Sequence, residues 1–356
     1  MISTNVQNII TAKSAIKAAI EGKGVVVSAT DKLSDYPSLI NSISAGMEKE
    51  DITNYSYLFG RNDGEYRTRF YNFLTPTEMD YMFWENDFWN DIDLSKYFSA
   101  DKGNLPTKRI PCNHICYSHN TLKSFKFPQG IKSSNNQSMF QSCSDMVSVD
   151  FNGLEFSGTM NSIMNGCTSI PTVDMSGCSA SDIEVNTQTM FINCQKATSI
   201  TLPPNLKSTS LYCTFQNCYL LAALNLNGLD TSACNDFRNA FNTTSLESFD
   251  GALISVNPSN ANYVQNMFCK STAMRKIWIP KEWKLAPTSA NNSPFLSVGG
   301  NNANNASLQI YTDAVSESDQ ISKGQWTTYW NYYSGSAKVP DSQIHWGSTH
   351  EEFLNA

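Results

Sequence analysis

Four residues in one short stretch have the side chains that ligate metal: Cys112, His114, Cys116 and His119. Zinc takes thiolate sulfur and imidazole nitrogen in tetrahedral sets. This spacing is tighter than the usual arrangement of two ligand pairs separated by a loop. The same residues offer a Cys–His pair, but a nucleophilic thiolate needs a partly exposed, electropositive setting. Asp150 and Asp174 recur at equivalent places in successive segments, and Asp230 lies beyond a later one. Carboxylates so placed either make Asx turns or contact a calcium ion or a sugar. No Gly-rich phosphate loop, His-Glu-x-x-His helix or Gly-x-Ser-x-Gly elbow occurs. A glycosidase needs two carboxylates across a cleft, and spacing alone singles out no such pair. The expectation is no catalytic residue, no metal and no cofactor.

What must position these residues is a repeat. With Phe215 as position 0, Cys218 is +3, Leu221 is +6, Leu224 is +9 and Leu226 is +11. The same ladder fits origins at Cys116, Phe140, Met164, Phe191 and Phe268, and a degenerate copy starts at Phe241. The origins are 24 to 27 residues apart, inside the range of leucine-rich repeats with one short strand per turn. Positions +9 and +11 alternate as strand residues do and are expected to point inward. The Phe-x-x-Cys segment before them then forms the convex side. Cys116 and His119 fall on positions 0 and +3, so the register assigns them to core columns. Cysteine at +3 reads as a compact apolar filler rather than a ligand or a disulfide partner.

Met139-Phe140-x-x-Cys143-x-x-Met146-x-x-Val149-Asp150-Phe151, and Phe215-Gln216-Asn217-Cys218 followed by Leu229-Asp230-Thr231-Ser232, resemble BspA-like leucine-rich repeats. The tail extends the likeness, with Leu308-Gln309-Ile310-Tyr311, Trp326 and Ile344 resembling the strand and helix that close such arrays. The resemblance implies surface adhesion and ligand binding without catalytic residues, and it covers residues 116–345. The expected fold is an α/β leucine-rich-repeat solenoid of short parallel strands, β-rich, with a small N-terminal α-helical attachment unit.

The ends differ from the middle. Val6, Ile9, Ile10, Ile16, Ala19 and Ile20 have helical spacing, Gly22 and Gly24 end the helix, and Asp35 caps a second helix with Leu39 and Ile40. A unit this small cannot bury its own apolar stripe. Val6, Ile9, Ile16, Ile20, Leu39 and Ile40 are therefore expected to anchor or oligomerise the chain as a homodimer or homotrimer. Ala12-Lys13-x-Ala15-Ile16-Lys17-x-Ala19-Ile20-x-x-Lys23-Gly24-Val25 is similar to N-terminal segments of tailed-phage structural proteins, which implies other virion proteins as partners. Residues 55–98 are crowded with aromatics, among them Tyr81, Trp84 and Trp89. These read either as an N-terminal cap or as a platform for sugar rings. Trp326 and Trp330 read either as a seal at the far end or as a contact tip. The domain boundaries drawn are 1–45 for the helical unit, 46–111 for the aromatic cap, 112–285 for the repeats and 286–356 for a loop and C-terminal cap.

Of 356 residues 16 % are charged, and the net charge is −7. Phosphate binding needs a basic face, so nucleic acid is excluded as the main partner. No run of 18 apolar residues exists, which excludes a helical membrane span. Met1 to Val6 do not begin a secretory signal, so assembly in a reducing cytoplasm is expected, with free thiols. The expectation is a phage virion fibre or appendage that displays a surface for a host protein or glycan. The alternative is a bacterial cell-surface adhesin or carbohydrate-binding protein.

Overall fold

The computed structural model describes residues 13–14, 16–18, 21, 50–60, 71–86, 88–180, 184–257, 261–297, 308–334 and 337–356. The chain divides into two units, Met1–Ile52 with Gly64–Leu74, and Thr53–Asp63 with Thr75–Ala356. In the first, the described residues between Lys13 and Glu21 are helical. Lys17 and Glu21, one turn apart, pair at 3.7 Å, a surface contact worth a few tenths of a kcal/mol at about 0.2–0.5. Ile16 stands 39 % exposed. The other stripe residues, Val6, Ile9, Ile20, Leu39 and Ile40, lie outside the described residues.

The second unit is a stack of coils, each crossing three faces. On the first face runs a parallel ladder in three blocks. Asp91–Asp93, Ser124–Lys126 and Ser148–Asp150 form one block. Thr172–Asp174, Ser199–Thr201 and Ala223–Asn225 form the next. Ser248–Asp250, Lys276–Trp278, Gln309–Thr312 and Ile344–Trp346 form the last. The +9 residues face one another in register, as in Val173, Ile200 and Leu224. Positions +9 and +11 are buried in most coils, but Val149 and Leu224 at +9 are only half-buried. Both sit on the last strand of a block, where the hydrogen-bonded ladder stops. A second, more broken parallel ladder pairs Ile110–Pro111 with Ser133–Asn135, Glu155–Phe156 with Ser179–Ala180, and Val185–Asn186 with Ser208–Ser210.

The third face is a ladder of turns. In every coil the amide of position 0 donates to the next coil: Phe83 to Ile115, Cys116 to Met139, Phe140 to Ile163, Met164 to Met190, Phe191 to Thr214, Phe215 to Ala240, Phe241 to Met267 and Phe268 to Pro294, all at 2.7–2.9 Å. Positions −2 donate likewise, from Tyr57 to Asp80 through Asn266 to Ser293. Positions −2 and +2 both have left-handed backbone, as at Ser138 (φ 53°) and Ser142 (φ 65°), or Asn239 (φ 56°) and Thr243 (φ 58°). That geometry turns alternate amides and carbonyls along the stack, so the buried backbone is satisfied coil to coil. The register runs past the repeat boundaries drawn from sequence, to Phe59 and Phe83 at one end and to Phe295 at the other.

Position 0 forms the spine of the core. Phe191, Phe215, Phe241, Phe268 and Phe295 stack with ring centroids 5.3–5.8 Å apart and planes within 12°. Phe59 and Phe83 repeat the contact at 5.2 Å. In the degenerate copy Gly251 takes the place of the +11 apolar residue. A Cβ there would lie 2.3 Å from the Trp278 carbonyl oxygen and 2.7 Å from the Trp283 ring, so only glycine fits.

Two helices close the unit, α1 (Glu317–Ser322) and α2 (His350–Asn355). A reciprocal cap between Thr349 and Glu352 starts α2. Phe353 of α2 is buried beside Trp278 and Tyr311, and the Lys276 ammonium donates to its carbonyl at 3.0 Å. The helix thus covers part of the strand face.

Candidate functional site

Cys112, His114, Cys116 and His119 do not converge. Among the described residues no three His, Cys, Asp or Glu side chains are placed to hold a metal ion. Cys116 and His119 are in the core columns that the register assigns. His114 occupies a left-handed −2 position (φ 54°) and turns toward the outer surface. All ten cysteines are free and buried. Burial pushes the Cys143, Cys167 and Cys194 thiols well above their ordinary range, and Cys218 up to about 12. Such thiols are neither nucleophiles nor ready ligands.

The +3 thiols are donors, which their reading as apolar filler did not include. Cys143 donates to the Cys116 carbonyl at 2.9 Å, Cys167 to Phe140 at 3.1 Å, Cys194 to Met164 at 3.2 Å and Cys218 to Phe191 at 3.2 Å. Ser271 makes the same bond to Phe241 at 2.8 Å. Two members of the column depart from this, Thr244, which donates to Phe241 of its own coil at 3.2 Å, and His119. His119 is fully buried, its two ring nitrogens meet no hydrogen-bond partner, and burial lowers its pKa to about 4.

The aromatic residues singled out by sequence divide sharply. Trp326 and Trp330 are 1 % and 0 % exposed, 4.4 Å apart, with their indole N–H groups bonded to the Trp283 carbonyl and the Glu317 carboxylate. They seal the core and cannot act as a contact tip, because neither ring face reaches the surface. Trp89 packs inward against Phe59 and Phe83 at 5.6 and 5.8 Å. Tyr81 and Trp84 point outward and belong to a five-ring cluster that also contains Tyr57, His114 and Tyr117. Tyr57 stacks on Tyr81 at 4.7 Å and 4°, and Tyr81 on His114 at 4.5 Å and 1°. Trp84 stands nearly perpendicular to Tyr57 and Tyr81, at 6.2 and 6.1 Å. Tyr117 meets His114 edge-on at 5.4 Å. Sequence reasoning missed Tyr57, His114 and Tyr117 as one group. Their shared −2 and +1 positions were the available signal.

The acidic column makes turns. Asp150, Asp174, Asp230 and Asp250 each accept the amide two residues on at 2.9 Å. Hydrogen bonds from Ser176 and Ser232 hold the Asp174 and Asp230 carboxyls below the ordinary carboxylate range. A wider groove of about 660 Å³ opens where the last block of strands ends, bordered by Ile254, Val256, Trp278, Glu282, Asp313 and His350. There His350 meets Asp250 at 2.9 Å and Lys281 meets Asp313 at 3.1 Å. Farther back, Arg238 grips Asp236 at 2.6 Å between the rings of Tyr212 and Tyr263, each 4.9 Å away. Most of these charges are thus answered within the chain.

What faces outward in register is the strand surface, with Ser124 opposite Ser148, Lys126 opposite Asp150, and Asp174, Thr201 and Asn225 in one row. Among the described residues no helix is long and apolar enough to cross a membrane.

Comparison with known families agrees with this architecture. The model of the BspA type leucine rich repeat region matches six copies, over residues 108–233 and 168–294. No curated protein and no solved structure matches the chain. The matched residues run from 108 to 294, more than half of the 356. The chain belongs to the BspA type leucine rich repeat family.

Proposed function

We propose that this chain is a non-catalytic recognition protein, whose repeat unit displays a surface to a ligand on another cell or particle. The observation that carries the reading is the separation of tasks within each coil. Position 0, +3 and the backbone ladders do the stacking, while the side chains of rows such as Asp174, Thr201 and Asn225, whose backbones pair coil to coil, stand outward. A row of this kind can change residue by residue without disturbing the core, which suits display rather than catalysis. Buried, protonated thiols and internally answered carboxylates support the same reading.

The finer reading is a phage virion fibre or appendage, held to other virion proteins and to its own copies through residues 1–45. Its support is the likeness of Ala12–Val25 to tailed-phage structural proteins. The second reading, a bacterial surface adhesin, is supported by the family itself. Saturable binding of the purified full chain to intact bacteria would support recognition from a virion, and binding to animal cells or matrix would support the adhesin. No saturable binding to either would sink the recognition reading. Deleting residues 1–45 separates the carriers further. Loss of incorporation into particles, with the repeat unit still folded, is expected for a virion protein.

A further inference from the structure

The outward stack Tyr57–Tyr81–His114 lies in a column where later coils carry Ser138, Ser162, Thr189, Cys213, Asn239 and Asn266. Those small residues show that stacking the coils requires nothing aromatic at −2. The backbone there is left-handed, at φ 60° for Tyr57, 56° for Tyr81 and 54° for His114. Bulky side chains disfavour that region, and strain of this kind gathers at functional sites. Tyr81 has both faces covered by its neighbours, whereas Tyr57 begins the stack and is 54 % exposed. Among the described residues no ring stacks on its outer face, which ends a column with ring spacings of 4.7 and 4.5 Å.

We propose that this open face, flanked by Trp84, is a glycan-binding site in which a pyranose ring stacks on Tyr57. The inference rests on the recognition reading and names its ligand class. A pyranose has a face of C–H groups that lies on an aromatic ring, and a rim of hydroxyls that needs hydrogen-bond partners. The rim is present here. Burial, and after it the nearby Tyr57 phenol, Asp80 carboxylate and Tyr117 phenol, hold the Tyr81 hydroxyl above the ordinary phenol range. Asp80 is fixed by the Asn113 amide at 2.6 Å and the Asn113 side chain at 3.3 Å. A nucleobase also stacks on such a ring, but its phosphates need cations. Among the described residues the charged groups beside the cluster are Asp80 and the exposed Glu85, which disfavour a phosphate, so the sugar is the favoured occupant.

The test is a glycan array with the full chain, followed by calorimetric titration of the best-bound oligosaccharide into the chain and three variants. Tyr57→Ala is expected to weaken binding about tenfold, the scale of one lost ring contact. Tyr57→Phe keeps the face and is expected to stay within a few-fold. Phe88→Ala, at a residue 57 % exposed and outside the ring cluster, should bind as the parent does. Glycan binding unchanged in Tyr57→Ala would overturn the site and leave the recognition reading standing. So would a chain that binds target cells but no oligosaccharide, or that takes a Trp-rich peptide at this face instead. A chain that binds neither cells nor glycans overturns both.

Discussion

The thiol of Cys167 donates to the carbonyl of Phe140, one coil earlier, at 3.1 Å. The +3 column is therefore a line of polar links inside an apolar core. Cys167→Ala removes the donor, leaves a small void, and is expected to cost about 1–3 kcal/mol in urea unfolding. Cys167→Ser should cost less than alanine, because Ser271 already makes the equivalent bond to Phe241. Equal losses for the two variants would show that volume alone governs the column.

His119 sets an acid limit on stability. Its pKa falls to about 4 on folding through burial, with the nearby Trp89 backbone offsetting part of the shift. Between pH 6.5 and 4 the unfolded chain holds the proton and the folded chain does not. Stability therefore declines as pH falls through this window, by up to about 3 kcal/mol, and this contribution levels off below it. His119→Cys, which restores the column's usual residue, should remove that part of the decline. Urea midpoints at pH 7.5 and pH 4.5 read it directly, and an unchanged slope in the variant would count against the assignment.

Gly251→Ala is expected to destabilise by about 2 kcal/mol or more, since the new methyl meets the fixed Trp278 carbonyl rather than a movable side chain. Gly177→Ala, where nothing lies within 4 Å, serves as the matched control and should be nearly neutral. Thermal denaturation of both variants tests the contrast.

The left-handed turns carry strain that glycine relieves. Lys270 is exposed with φ 59°, and Lys270→Gly should stabilise the fold by roughly 0.5–1 kcal/mol once the flexibility of glycine is offset. Lys270→Val should do the opposite, because a branched Cβ is worst in this region. A calorimetric melting series would reverse the idea if valine were the better tolerated.

The strand register, the Phe spine and the cysteine column were legible because each rests on one residue type recurring at one offset. The turn face was not. Its left-handed positions are filled by Ser, Asn, Thr, Tyr, His, Cys, Glu and Lys, with glycine only at Gly166 among the described +2 positions, so composition carried no mark of the backbone. The aromatic crowd between 55 and 98 stayed ambiguous for a related reason. Phe59, Phe83 and Trp89 at positions 0 and +6 face in, while Tyr57, Tyr81 and Trp84 at −2 and +1 face out. Only the register separates them, and the step of 33 residues from Phe83 to Cys116 breaks its rhythm. Trp326 and Trp330 gave no periodicity to read, and their burial depends on Trp283 from a distant coil.

The turn ladder runs from Phe59 to Phe295 without a gap, whereas the strand ladder is interrupted twice, after Asp150 and after Asn225. The stack therefore behaves like a bound book. The turn edge is the spine, and the strand edge is sewn in three gatherings, with Glu155 against Ser179 on the second face holding the first gap and Thr231 against Ser255 holding the second.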